Sequence, residues 1–380
     1  MRILFSFQPS TAHVNLYLPT VRALAERGHD VLVATATSFL DRIERAGVVG
    51  VAAGVDWNDS DDMTERWPDF GQVPRDQVAA FFIGTICATR LAPDMADSLD
   101  QIILQFSPDL LIRDVTEFGA VIAAERHGLP TASIGFGPTP GPQRHLPLVT
   151  EPLQRLRAES AGPPDLMGLA ALHCAPRSFI ADESSLTDQV HLIRPDVFDG
   201  TVAATATLDL QRRSTDRPLV YVSLGTVFST PELFQPILDG LAGLPVDVIA
   251  TTGRFPPTQL DVPPNATVEK YLPNSEFLPS VDLVVTHGGY TTVMGVLGAG
   301  KPMVIIPFTA DHPRNAEQCA TMGVAHILHP DDLTPETVRS VVDDALTDAT
   351  CTLNASAAAS EIAAMPGPDS AARIIETLMD

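Results

Sequence analysis

Residues 1–47, MRILFSFQPSTAHVNLYLPTVRALAERGHDVLVATATSFLDRIERAG, decide the fold. Residues 3–7 form a short apolar run without alternation, followed by a polar loop, the pattern of a strand buried on both faces of a parallel sheet. Leu16, Leu18, Val21, Leu24 and Ala25 then recur at helical spacing, and Gly28 stands where a C-terminal cap belongs. A second buried strand at residues 31–35 and a second helix over 39–46, ending at Gly47, complete a β-α-β-α alternation. That alternation predicts an α/β chain built on doubly wound parallel sheets.

Outward from this stretch the rhythm breaks and resumes. Residues 54–75 are rich in Asp (Asp56, Asp59, Asp61, Asp62, Asp69) and hold Trp57 and Trp67, which predicts a long functional loop. Helical spacing returns over 76–106, then a strand at 110–113, a helix at 119–126 and a strand at 131–134. A second irregular region, GFGPTPGPQRHLP, begins at Gly135. Around residues 193–218 the pattern dissolves into Pro, Asp, Thr and Arg, as expected of a linker. A second alternation follows, with strands at Leu219–Ser223, 246–250, Leu283–Thr286 and 303–306, and helices near 231–241, Tyr290–Gly298 and 315–322. The domains expected are 1–195, a linker 196–218, a second domain 219–365, and a terminal helix within 366–380 that is free to cross back to the first.

Composition bounds the function. A chain of 380 residues exceeds one ordinary core. Its 45% hydrophobic and 19% charged fractions exclude a mainly disordered chain. The net charge of −23 argues against a broad nucleic-acid or anionic-membrane surface, while leaving room for a small anion in a local pocket. Cys87, Cys174, Cys319 and Cys351 lie far apart without a CxxC pair, which predicts a reducing, cytoplasmic location. The first residues lack a secretory h-region, and nowhere do about 18 uncharged apolar residues run together.

Doubly wound sheets bind ligands beyond the carboxyl ends of their strands. After Leu219–Ser223 comes Leu224-Gly225-Thr226, and after Leu283–Thr286 comes His287-Gly288-Gly289-Tyr290-Thr291-Thr292. Paired glycines admit backbone N–H groups close to an anion, and the following helix offers its positive end, an arrangement suited to a diphosphate. The same glycines would also serve a plain tight turn with a Thr cap. Neither GxGxxG after the first strand of either half nor GxxxxGK[ST] is present, so dinucleotide and ATPase readings lose ground. In the first half, His13 and Asp114 follow the strands at 3–7 and 110–113 and so share one sheet edge. A His oriented by a buried carboxylate is a general base; taken singly, each is as well explained as a cap or loop residue. His326 and His329 show no carboxylate or Cys partners in sequence, and no metal is expected.

These residues resemble the GT-B glycosyltransferases, the two-domain, nucleotide-sugar-dependent inverting group, especially bacterial enzymes that glycosylate natural products. The most specific part is Tyr271-Leu272-Pro273 through VDLVVTHGGYTTVMGVLGAGKPMVIIPFTADHPRNA, similar in order and spacing to the family's donor-binding signature. PDLLIRD ending in Asp114, SLGT at 223–226 and the opening strand with His13 are lesser matches. The resemblance implies two Rossmann-like domains facing across a cleft, with His13 as the base and Asp114 as its holder. It implies Tyr271 stacked on the nucleobase with the Leu272 backbone beside it. The diphosphate falls to Gly225, Thr226, His287, Gly288, Gly289, Thr291 and Thr292, and the sugar hydroxyls to Asp311 and His312. No metal and no cofactor beyond the nucleotide sugar are implied. His312 stands where the family commonly has Gln, Gly295 where many plant relatives carry a ribose-binding Glu, and Ala12 where a Gly usually precedes the base. The first two differences are compatible with a TDP-linked deoxysugar, favoured over a UDP-sugar. The partners expected are that donor and a small hydrophobic aglycone, with no nucleic acid and no membrane, and a homodimer left open. Alternatives are a C-glycosyltransferase on a phenol, a nucleotide-sugar epimerase and a non-catalytic auxiliary binding protein.

Overall fold

The computed structural model describes residues 1–58, 63–74, 77–157, 162–198, 217–225, 229–272 and 277–379. The chain divides into two compact units, residues 1–200 with 365–380, and residues 201–364. Most of the expected linker, residues 199–216, lies outside the described residues.

The first unit is built on a seven-stranded, wholly parallel sheet. Its strands are β1 Arg2–Ser6, β2 Asp30–Thr35, β3 Val49–Ala52, β4 Leu110–Asp114, β5 Thr131–Gly135, β6 Ala171–Cys174 and β7 Val190–Ile193, in the order β3-β2-β1-β4-β5-β6-β7. β4 is fully buried and β1 is buried from Ile3 to Ser6, as their apolar runs require. The helix Thr11–Glu26 follows β1, and Gly28 at φ +89° turns the chain into β2. Val78–Phe81, a π-helical stretch Phe82–Leu91 and Ala92–Phe106 form one continuous helical run. By length and composition that run could span a bilayer. Here Met95, Leu99, Ile102 and Ile103 pack with Leu4, Leu111 and Ala120, while Cys87, Ala88, Ala92 and Ala96 pack with Phe118 and Ile122. The terminal helix Pro368–Thr377 belongs to this unit. Arg27 donates to Glu376 at 2.8 and 2.7 Å and to Asp369 at 3.0 Å, and His29 meets Glu376 at 2.8 Å.

The second unit carries a six-stranded parallel sheet: β8 Leu219–Ser223, β9 Asp247–Thr251, β10 Ala266–Glu269, β11 Leu283–Thr286, β12 Met303–Ile305 and β13 Ala325–Ile327, ordered β10-β9-β8-β11-β12-β13. Phe234, Ile237, Leu238 and Leu241 of the helix Pro231–Ala242 and Val338 and Val342 of Pro335–Thr347 cover Val220, Val222, Val285 and Val304 of the sheet.

In both sheets the order of strand addition reverses at the first strand. β1 is flanked by β2 and β4, and β8 by β9 and β11. At such a switch point the loops leaving the two central strands part in opposite directions and open a crevice at their carboxyl ends. His13 and Asp114 lie at the first switch point, Gly225 and His287 at the second.

The sequence reading did not anticipate β3, β6, β7, β10 and β13, nor the helices Pro335–Thr347 and Ala349–Ala364. Val190–Ile193 lies just before the stretch read as a linker, within the expected first domain, and its backbone pairs with β6.

Candidate active site

In the first unit the backbone brings His13 and Asp114, 101 residues apart, to a distance of 2.6 Å between Nδ1 and Oδ2. Residues 3 to 6 of β1 pair in register with 110 to 113 of β4, so the residues that leave the two strands start side by side. Asp114 is the last residue of β4 and fully buried, whereas the His13 side chain keeps 16% exposure in the first turn of its helix. A carboxylate can only accept, so Nδ1 carries the proton, and in the neutral imidazole the lone pair is on Nε2. Phe136 packs its edge on the His13 ring, centroids 4.7 Å apart and planes at 89°, with Tyr17 on another side at 6.1 Å. Phe136 opens the second irregular region; its contact with His13 arises only in the fold. Trp57 and Trp67, by contrast, are buried against each other and Phe82 as core.

The turn after Asp114 is tightly held. Arg113 is fully buried and donates from Nη1 to the carbonyls of Asp114, Val115 and Glu117 at 3.0, 3.2 and 3.0 Å, and from Nη2 to Leu166 at 2.6 Å. Burial lowers the Arg113 guanidinium to about 10. Glu117 accepts from Ser6 at 2.7 Å and from the N–H groups of Gly119 and Ala120 at 2.6 and 3.0 Å, while burial raises its carboxyl. None of these side chains was singled out in the sequence, because their importance lies in what they touch.

In the second unit, Gly225, at φ +74°, follows β8 and His287 follows β11. The imidazole of His287 lies so close to the backbone that a Cβ on Gly225 would meet its Cε1 and Nε2 at 2.8 Å, and one on Gly289 would overlap Nε2. Gly288 adopts φ +87°, and a Cβ there would meet Ile305 at 2.8 Å. The glycines therefore have a spatial reason beyond turning the chain: only a bare backbone admits this ring. Thr291 and Thr292 occupy the first turn of the helix Tyr290–Gly298, whose N-cap is Gly289. Thr226 lies outside the described residues, as does Pro273.

Burial pushes His287 down to about 3, with the neighbouring His312 lowering it further. Burial likewise takes His312 to about 4. Both rings are therefore neutral near pH 7. Asp311 stands at the N-cap position of the helix His312–Thr321 without a side-chain cap hydrogen bond, and the preceding Ala310 is left-handed at φ +57°, a strained setting for a residue with a Cβ. Asn315 donates from Nδ2 to the Gly288 carbonyl at 2.9 Å and to Asp311 Oδ2 at 2.7 Å, tying the glycine loop to the Asp311 carboxylate. Tyr271 is 48% exposed, while Leu272 is buried. Residues 285–300 contain no Lys or Arg. An anion held here is met by helix N–H groups, hydroxyls and a neutral imidazole.

Among the described residues one group could hold a metal ion: His326, Asp348 and Cys351, whose ligand atoms lie within 4.8 Å of one another. This corrects the expectation that His326 lacks such partners, since Asp348 sits 3.1 Å from its Nε2. The other Asp348 oxygen caps the helix Ala349–Ala364, accepting from Thr350 and Cys351 at 3.0 Å each. A helix N-terminus opposes a cation.

The whole chain resembles known proteins in sequence and in fold. The family described as erythromycin biosynthesis protein CIII-like matches with its N-terminal domain over residues 22–175 and its C-terminal domain over 235–378. Among curated proteins, the 4'-demethylrebeccamycin synthase of Lentzea aerocolonigenes is 26% identical, covering 100% of this chain and 99% of its own. The oleandomycin glycosyltransferase of Streptomyces antibioticus is 27% identical over 87% of this chain and 81% of its own. Among solved structures, the glycosyltransferase VinC in complex with dTDP superimposes with a TM-score of 0.79 at 24% identity, covering 100% of this chain and 99% of that one. Spinosyn rhamnosyltransferase SpnG complexed with thymidine diphosphate gives 0.79 at 21% identity, covering 100% of both.

Proposed function

Because the chain belongs to the erythromycin biosynthesis protein CIII-like family and is a natural-product glycosyltransferase of GT-B fold, we propose that it transfers a deoxysugar from TDP to a hydroxyl of a small hydrophobic aglycone, with inversion and without a metal. The observation that carries the reading is the 2.6 Å contact between His13 and Asp114 at the carboxyl edge of the first sheet.

In this reading His13 Nε2 removes the acceptor's hydroxyl proton while Asp114 stabilises the imidazolium. The acceptor oxygen forms its bond to the anomeric carbon as the bond to the diphosphate oxygen breaks on the opposite face, and that electron pair leaves with TDP. The departing charge meets the Gly288–Gly289 turn, the first turn of Tyr290–Gly298 and the Gly225 loop. Asp311 and His312 orient the sugar hydroxyls, and Tyr271 stacks on the base. The bare backbone at Gly295 suits a nucleoside lacking a 2′-hydroxyl, and thymidine diphosphate is the nucleotide named for two structural relatives. Phe136 beside His13 gives an apolar aglycone a wall. Four buried cysteines, none of them in a disulfide, accord with a reducing, cytoplasmic setting.

Calorimetric titration with TDP and UDP tests the donor. TDP is expected to bind about tenfold more tightly, and equal affinity or absence of binding would remove the TDP assignment. NMR of the product from an α-linked donor is expected to show a β-O-glycoside; retained configuration would refute inversion.

A further inference from the structure

The mechanism above uses one oxygen of Asp114. The other is held by a residue without a part in it. Thr116, two positions beyond the end of β4, donates to Asp114 Oδ1 twice, from its N–H at 2.8 Å and from its hydroxyl at 3.0 Å. Oδ2 is thereby left to face His13 Nδ1 at 2.6 Å. A carboxylate is planar and its oxygens move together, so fixing Oδ1 fixes the direction of Oδ2. The Asp114 side chain has 0% exposure, so no bulk water stands by to replace the hydroxyl.

Thr116 is itself anchored to the strand that leads to His13. Its carbonyl accepts from Gln8 Nε2 at 3.0 Å, and Gln8 is buried just beyond β1. The turn carrying Thr116 is pinned from within by the three carbonyl contacts of Arg113 and by the Glu117 carboxylate on the next helix's first N–H groups. The Thr116 hydroxyl is thus a fixed donor aimed at a buried carboxylate, on a turn that cannot readily swing away.

We propose that Thr116 is a positioning residue whose hydroxyl locks the Asp114 carboxylate against His13, keeping the proton on Nδ1 and the lone pair on Nε2. The proposal rests on the reading of His13 as the base. A purely structural turn residue would affect folding alone; a positioning residue also alters the His13–Asp114 hydrogen bond and turnover.

The test compares Thr116→Val, nearly isosteric but without the hydroxyl, with Thr116→Ser, which restores it. The first readout is the His13 Nδ1–H resonance in the nucleotide-free protein, which needs no substrate. The second is steady-state transfer, with kcat separated from KM for the donor. For Thr116→Val the resonance is expected to move upfield or broaden, with kcat lower by about 10-fold and donor KM unchanged; Thr116→Ser is expected to recover both. A parental resonance and kcat in Thr116→Val would overturn the proposal, as would failure of Ser to recover what Val loses. A displaced resonance with unchanged kcat would uphold the hydrogen-bond geometry and count instead against His13 as the base. Should Val unfold the turn, Thr116→Ala, which places no methyl where the hydroxyl stood, is read by the same two measurements.

Discussion

The ring of His287 stands edge-on to that of His312, with centroids 4.5 Å apart and planes at 88°. Each is buried and each is held neutral, at about 3 and about 4 respectively. The pair couples the glycine loop after β11 to the helix after β12, and makes this part of the second unit sensitive to acid.

The direction of that sensitivity follows from linkage. Above pH 6.5 the imidazoles are neutral in both folded and unfolded chains. As pH falls below 6.5 the unfolded chain takes up protons that the folded one refuses until about 3 to 4, so stability drops over that interval. His173, buried and held to about 3 while bonded to the Gly137 carbonyl at 2.8 Å, acts the same way in the first unit. Calorimetric unfolding is expected to show a lower Tm at pH 5 than at pH 7, with a shallower fall in His312→Gln. An identical pH slope in parent and variant would contradict the buried neutral His312.

Asn315→Ala removes the two donations to Gly288 and Asp311. A loss of about 1–3 kcal/mol in stability is expected, since Asn315 and its bond to the Gly288 carbonyl are buried, together with weaker donor binding as Asp311 and the glycine turn come apart. Urea unfolding and nucleotide titration read the two effects separately; unchanged donor affinity would show that Asp311 does not need the tie.

Gly289→Ala forces a Cβ onto the His287 ring, whereas Gly298, nine residues on at the end of the same helix, has open space beside it. Gly289→Ala is expected to weaken nucleotide binding by at least about tenfold. Gly298→Ala should leave binding intact and gain up to about 1 kcal/mol through helix propensity. Equal binding by both variants would mean that the His287 position does not matter to the nucleotide.

All four cysteines are buried thiols outside any disulfide. Burial raises each thiol, Cys351 to about 11. The folded protein is therefore expected to react slowly with a disulfide reagent near pH 8 and to release four equivalents on denaturation. Rapid reaction of the native chain would show that one of these thiols is reachable.

Much of the fold was legible because the central strands carry their signature locally. Leu219–Ser223 and Leu283–Thr286 are continuous apolar runs buried on both faces, and their bounds coincide with observed strands. The edge strands β3, β7, β10 and β13 are short and half-buried, so they lack that run. β6 is fully buried, but His173 interrupts its apolar pattern, and only the Gly137 carbonyl explains how a histidine sits there. Pro335–Thr347 did leave a signal in Thr334 and Pro335, a capping residue followed by a first-turn proline. Among site residues, His13 and Asp114 could be read from strand ends alone. Thr116, Phe136 and Asn315 could not, because their partners are set by tertiary contacts rather than by spacing.

The most direct test of the account is the rate of sugar transfer by His13→Ala, measured at saturating donor alongside calorimetric nucleotide affinity. The expected result is a loss of at least about 100-fold in kcat with affinity for TDP unchanged, and a comparable loss in Asp114→Asn. Transfer by His13→Ala at the parental rate would contradict the dyad as the base.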